Sequence, residues 1–395
     1  MAETFLHGVE VLEIDAGPRP IRTVRSGVIG IVGTAPDADA AEFPINEPVL
    51  IAGNRGKAAK LDSTGDGNGT LPAALDGIFD QAGAVVIVVR VEEGVDEPAT
   101  LANIVGGVNA TNGQYEGVHA LLGAESRVGF APRILCAPGF THQRPDASAN
   151  PVVSEMLGIA ERLRAVITAD GPNTTDAEAL AYREDWGSDR LYIVDPWVKV
   201  FRDGDTVAKP ASSRVAGIIA KTDNDRGFWH SPSNKVMNGI VGTARDVDFK
   251  LGDANSRANL LNEKEVSTII QQDGYRLWGN RTTSDDPKWA FLSVRRTADI
   301  INESLQRAHL WAVDRNITKT YVEDVTGGVN AYLRSLVNQG AILGGECWPD
   351  PDLNTPSNIQ QGKVFFNIEF TPPYPAEHIT FRSELTNDYL TEVFS

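Results

Sequence analysis

The sequence predicts an α/β domain covered by helices on both faces, then a smaller α+β domain, with an extended β arm at each chain end. Three observations carry this. Uninterrupted apolar runs bounded by Gly, Pro or charge recur through the first 250 residues, with helical stretches between them. Past residue 250 the pattern changes to two amphipathic helices followed by strands of period two. Both chain ends carry strand-forming residues set off by prolines.

Taken in order, residues 1–24 read as an arm. Val9, Val11, Leu12 and Ile14 are interleaved with Glu10, Glu13 and Asp15, and Pro18 and Pro20 forbid a helix. Residues 25–250 form the α/β unit. Its buried strands are expected at Val28–Gly33, Ala84–Val91, Arg133–Pro138 and Arg190–Val194. Helices are expected over 153–167, with Met156, Leu157, Ala160, Leu163 and Ile167 in one stripe, and over 211–221. Residues 251–370 form the smaller unit: a strand at Tyr275–Gly279, a helix over 298–313, and a second helix marked by Val325, Val329, Tyr332, Leu333, Leu336 and Val337 that stops before Gly340. A strand with Val364, Phe366, Ile368 and Phe370 on one face closes it. Residues 371–395 are the second arm. After Thr371-Pro372-Pro373-Tyr374-Pro375, the residues Ile379, Phe381 and Leu385 again alternate with polar ones. A strand beyond a proline break keeps unpaired main-chain groups and must find a sheet, which a neighbouring copy can supply.

The chain of 395 residues is 42% hydrophobic and 23% charged, as folded proteins are, and its net charge of −17 argues against binding nucleic acid or anionic membrane. The acidity is read as solubility at high concentration. Cys136 and Cys347 have no partner spacing and read as buried thiols. Met1 to His7 lacks a basic region before an apolar run, so no secretion signal is expected. The longest apolar run is too short to span a bilayer, so no membrane insertion is expected.

Chemical motifs fail on spacing. Gly53-Asn54-Arg55-Gly56-Lys57 lacks the loop length and the hydroxyl residue of a phosphate loop. Gly27, Gly30 and Gly33 read as close-packing positions. The Asp62–Gly69 loop lacks the closing Glu of a calcium site, with Ala73 in its place. The six histidines form no close pair, and no G-x-S-x-G elbow occurs. Asp285-Asp286 and Glu323-Asp324 read as helix caps. No cofactor or metal is expected. A dispersed Ser/His/Asp triad is still compatible with spacing, since triads assemble in space.

Several segments, in this order, resemble the contractile tail sheath proteins of myophages and phage-derived bacteriocins: Val28-Ile29-Gly30-Ile31-Val32-Gly33-Thr34-Ala35-Pro36, Pro132 to Gly139, Ser231-Pro232-Ser233-Asn234, Trp278-Gly279-Asn280-Arg281-Thr282, Arg295-Arg296-Thr297-Ala298-Asp299 and Pro375-Ala376-Glu377-His378-Ile379. The resemblance implies a subtilisin-like α/β domain without a working triad, and a smaller domain built from both chain ends that lies against an inner tube. It implies arm strands at Val9, Val11, Leu12, Ile14, Ile379, Phe381 and Leu385 that add to a neighbour's sheet, with Val364, Phe366, Ile368 and Phe370 as the receiving sheet. The implied partners are other copies in a helical homo-oligomer, a tube protein, and baseplate and terminator proteins. Assembly would take place in a bacterial cytoplasm and the product would be a virion tail or tail-like particle. Residues 281–334 hold eight basic and seven acidic residues in a chain of −17, which makes Arg307, Lys319 and Arg334 candidate contacts to an acidic tube. The rival readings are a subtilisin-like hydrolase and a tube or capsid subunit. The second is disfavoured by length.

Overall fold

The computed structural model describes residues 20–390 with the exception of residue 203. Strands β1 (Val28–Thr34), β2 (Pro48–Ala52), β3 (Val85–Val91), β4 (Ile134–Cys136), β5 (Val166–Asp170), β6 (Leu191–Val194), β7 (Lys235–Val236), β8 (Val266–Gln271) and β9 (Tyr275–Trp278) form one sheet in the order β7-β9-β8-β6-β5-β4-β1-β3-β2. The run from β8 to β3 is parallel, and β2, β9 and β7 add antiparallel at its edges. Parallel strands need helical crossovers and both faces covered. Helices α1 (Leu71–Phe79) and α5 (Ser212–Arg226) cover one face and pack on Ile29, Ile31, Val86, Val88 and Ile134. Helices α2 (Glu97–Val105), α3 (Pro151–Leu163) and α4 (Asp176–Glu184) cover the other and pack on Val28, Val32, Ile87, Val89 and Leu135. Side chains along β1 therefore alternate between two cores, and that is why its sequence is apolar throughout. Gly30 and Gly33 are packing positions: a Cβ would sit 2.8 Å from Pro132 Cβ and 2.4 Å from Thr70 Oγ1, respectively.

The smaller unit consists of α6 (Leu292–Ala308), α7 (Lys319–Gln339) and a hairpin of β10 (Gly344–Pro349) and β11 (Phe366–Thr371). Its core joins Ile300, Ile301 and Leu305 of α6 to Val329, Tyr332, Leu333 and Leu336 of α7, with Cys347, Phe366 and Phe370 from the hairpin. Ile21 and Val24 from the start of the described chain pack on it as well. The Val24 N–H donates to Ser304 Oγ at 3.0 Å, and Thr23 Oγ1 lies 3.1 Å from the Tyr332 hydroxyl.

Four expectations need correction. The stripe assigned to one helix over 153–167 breaks at Arg164, which takes a left-handed φ of 48°, and Ile167 belongs to β5. Val313 lies beyond α6, which starts earlier, at Leu292, and ends at Ala308. Asp324 does not open a helix, because the cap is Thr318, whose side chain accepts from Tyr321 N. The boundary at residue 250 falls inside the α/β unit, because β8 and β9 extend its sheet to Trp278. The short polar connections there look like a domain junction, but β8 is as deeply buried as the strands before it.

Candidate assembly interface

The β10–β11 hairpin is a two-stranded sheet, so each strand has an outer edge. The edge of β10 is closed. Asn330 of α7 donates from Nδ2 to Cys347 O and accepts from Cys347 N–H, both at 2.8 Å. Two positions on, Pro349 has no N–H to offer. Cys347 lies opposite Ile368, and the Asp350 N–H crosses to Phe365 O at 3.0 Å. In an antiparallel ladder this parity turns the main-chain groups of Phe366, Ile368 and Phe370 outward. Among the described residues, nothing hydrogen-bonds to them there. The face of β11 is divided: Phe366 and Phe370 are half-buried on the core, and Ile368 is 37% exposed. Val364 precedes the strand and is half-buried.

Beyond β11 the chain leaves the body. Ile379, Phe381 and Leu385 are 67%, 90% and 96% exposed and belong to no strand. Isolated apolar side chains at such exposure, at period-two spacing, are a surface without its cover. Val9, Val11, Leu12 and Ile14 lie outside the described residues. The root of the C-terminal arm is held: Arg281 donates from Nε and Nη2 to the Glu377 carboxylate at 3.0 and 2.6 Å.

A belt of ion pairs joins the two units through α6. Arg190, at the start of β6, grips Asp299 with two bonds of 2.7 and 3.1 Å. Arg296 grips Asp223 of α5 at 2.7 and 2.5 Å and donates to Ser26 O at 3.2 Å. Arg133 and Arg307 both reach Glu303 at 2.7 Å, and Arg307 also meets Glu125 at 2.6 Å. Burial pushes the Glu303 carboxyl up, but Arg307 and Arg133 outweigh it and hold it below the usual carboxylate range. Arg307 is thus committed to the belt. Lys319 and Arg334 lie exposed on the side of α7 away from its Val325–Leu336 stripe, and the nearest carboxylate to Lys319 is Glu323 at 3.7 Å. These long-range pairs were not legible in the sequence, since none of them has local spacing.

The groups that could do chemistry are enclosed. Asp170, at the carboxyl end of β5, accepts from Ala211 N, Ser212 N and Ser212 Oγ at 2.7, 2.8 and 2.5 Å. Both side chains are fully buried, and burial raises Asp170 to about 6. No histidine is hydrogen-bonded to this pair, so Ser212 has no base and no access to substrate. Burial also pushes up both thiols, Cys347 to about 11. Among the described residues no group of His, Cys, Asp and Glu has metal-binding geometry, and no helix is long and apolar enough to cross a membrane.

Comparison with known proteins agrees with this arrangement. Three family models match in order: the tail sheath protein Gp18 domain III N-terminal region over residues 26–91, the phage tail sheath protein central domain over 113–283 and the phage tail sheath C-terminal domain over 284–386. The chain is 46% identical to a major tail sheath protein assigned to a prophage of Pseudomonas aeruginosa (strain UCBPP-PA14), over 99% of both chains. It is 38% identical to the tail sheath protein of Escherichia phage P2, over 98% of both. Its backbone superposes on the helical sheath of the anti-feeding prophage in its contracted state with a TM-score of 0.73 at 21% identity, covering 98% of this chain and 100% of that one.

Proposed function

The chain belongs to the phage tail sheath family, and from that premise we propose how its two ends and two domains work. It is a structural subunit of a contractile tail sheath and not a hydrolase. In our reading, each copy lends its arms to adjoining copies. The C-terminal arm enters as a strand along the outer edge of β11, where main-chain hydrogen bonds supply affinity and Ile379, Phe381 and Leu385 fix register. The observation that carries this is a pair of matching needs in one subunit: an unpaired edge on β11 and an uncovered alternating strand at residues 379–385. Such a contact is heterologous, so repetition without closure gives a helix around a tube.

The α/β unit serves as a subtilisin-like scaffold without a triad, a reading supported by its doubly covered parallel sheet and by a Ser212–Asp170 pair that lacks a histidine. Contraction moves subunits as rigid bodies while arms stay paired, and the subunit–subunit contacts are the bistable element. The ion-pair belt on α6 supports the rigidity. The outer face of α7, with Lys319 and Arg334, is the proposed contact to the inner tube, and Arg307 is withdrawn from that role by its ties to Glu303 and Glu125. Gly327 lies on that face with no neighbour that a Cβ would meet, which keeps it flat for close approach. Baseplate and terminator proteins would cap the two ends of the polymer, and assembly would occur in the bacterial cytoplasm.

The test is truncation. Removal of residues 1–20 or 371–395 is expected to leave a folded subunit that forms no striated tubes in electron micrographs. Regular tubes from either truncation would sink the arm mechanism.

A further inference from the structure

Two of the segments that carry the family resemblance, Trp278–Thr282 and Pro375–Ile379, are nearly a hundred residues apart in sequence yet meet in the structure. Their meeting point is Arg281 and Glu377. Arg281 Nε lies 3.0 and 3.1 Å from the two carboxylate oxygens, and Nη2 lies 2.6 Å from one of them. A planar fork on a carboxylate fixes direction as well as distance. The base of the fork is rigid. Arg281 bridges Phe291 through the main chain, flanked by bonds from Thr282 N to Ala290 O and from Leu292 N to Asn280 O. The guanidinium stands 5.2 Å from the Phe291 ring centroid, and the other partner of that ring is Tyr374 of the arm, edge-on at 6.0 Å. Between β11 and Glu377, Pro372 is buried and Pro373 and Pro375 are half-buried, so this stretch has little freedom of its own.

We propose that the Arg281–Glu377 clasp is an aiming device: it binds the root of the C-terminal arm to the junction between the two domains and sets the pivot of the arm at His378. The inference rests on the arm reading given above. With the clasp closed, the free span from Glu377 to Leu385 reaches about 26 Å at an extended ~3.3 Å per residue. With the clasp open the root retreats to Thr371 and the span grows to about 46 Å. Effective concentration falls roughly as the −3/2 power of tether length, so opening the clasp dilutes the strand about two- to threefold at each junction. A polymer makes that junction once per subunit, so a modest loss at each one multiplies along the lattice. The clasp is half-exposed, at 37% and 35%, so its own contribution to subunit stability is small, and its effect falls on assembly.

The experiment uses the full-length chain and measures the critical concentration for tube formation by sedimentation, with negative-stain images of the pellets. Glu377→Ala changes only an arm residue, so subunit folding, followed by thermal unfolding, should stay at the parental value. Its critical concentration is expected to rise at least twofold, with more irregular tubes. Arg281→Glu should do the same, and the exchanged pair Arg281→Glu with Glu377→Arg should bring the value back toward the parent. Arg281→Lys keeps the charge but loses the fork and should restore little. A parental critical concentration for Glu377→Ala would overturn the clasp, as would failure of the exchanged pair to recover. A chain ending at residue 377 separates this from the arm reading. If that chain assembles, the arm reading itself is wrong. If it does not assemble and Glu377→Ala behaves as the parent, only the clasp falls.

Discussion

Asn330 holds Cys347 by both main-chain groups, with two bonds of 2.8 Å running in opposite directions. A side-chain amide has one donor face and one acceptor face, and here it replaces the strand that β10 would otherwise need. The hairpin is therefore one-sided, and only β11 can be extended. Asn330→Ala leaves a buried N–H and carbonyl without partners, which costs about 1–3 kcal/mol. The expected result is a lower urea midpoint with an unchanged slope. A second consequence concerns specificity: with both edges open, the variant should form disordered aggregates alongside tubes at equal protein concentration.

Asp299 is 2% exposed and receives both Arg190 and Arg295. Asp299→Ala would strand two guanidinium groups beside α6, one of them on β6. Removing one side of a buried ion pair costs about 3–5 kcal/mol. If the belt is what makes the two units move together, calorimetry of Asp299→Ala should show the single unfolding transition split into two, with the smaller unit melting first. A single transition shifted as a whole would assign Asp299 to stability alone.

Much of the fold was legible from residues 26–194, because a strand buried on both faces must be apolar at every position and its crossovers must be helical. The later boundary was not legible. β8 and β9 continue the same sheet past a polar, glycine-containing stretch that reads as a linker. The period at 153–167 misled for a related reason: Leu163 and Ile167 keep helical spacing, and only the left-handed turn at Arg164 separates them into a helix and a strand. For the interface, the alternation at residues 364–370 and 379–385 pointed to strands, but nothing local could say which edge was free. That depends on Asn330, in another element. Arg307 illustrates the same limit. Its charge was visible, but its commitment to Glu303 and Glu125 was not.

Asp170 makes the stability of the α/β unit depend on pH in an unusual direction. Its folded pKa, raised by burial to about 6, lies above the ordinary value of 3.8. The folded state therefore holds its proton more tightly than the unfolded state between those two values. Above pH 7 the ionised, buried carboxylate costs roughly 3 kcal/mol, and that cost shrinks as pH falls through 6 toward 4. Asp170→Asn removes the charge and keeps an oxygen for the Ala211 and Ser212 N–H groups. The difference in unfolding free energy between variant and parent, from urea titrations, should be largest at pH 8 and smallest near pH 4. A difference that is constant across that range would mean Asp170 is ordinary in its titration.

Gly327 is a helical glycine in the middle of α7, and a Cβ there meets no neighbour within the subunit. Glycine in a helix interior costs about 0.8–1.0 kcal/mol relative to alanine, so the subunit alone gives no reason to keep it. Gly327→Ala is expected to raise the melting temperature of the unassembled chain by a few degrees. If the outer face of α7 rests on the tube, the added methyl holds the two surfaces apart, and sheaths formed around isolated tubes should be fewer. Tubes of sheath protein alone should form as before. A variant that is both more stable and unimpaired in clothing the tube would move the tube contact away from α7, and Lys319 and Arg334 would lose their assigned role with it.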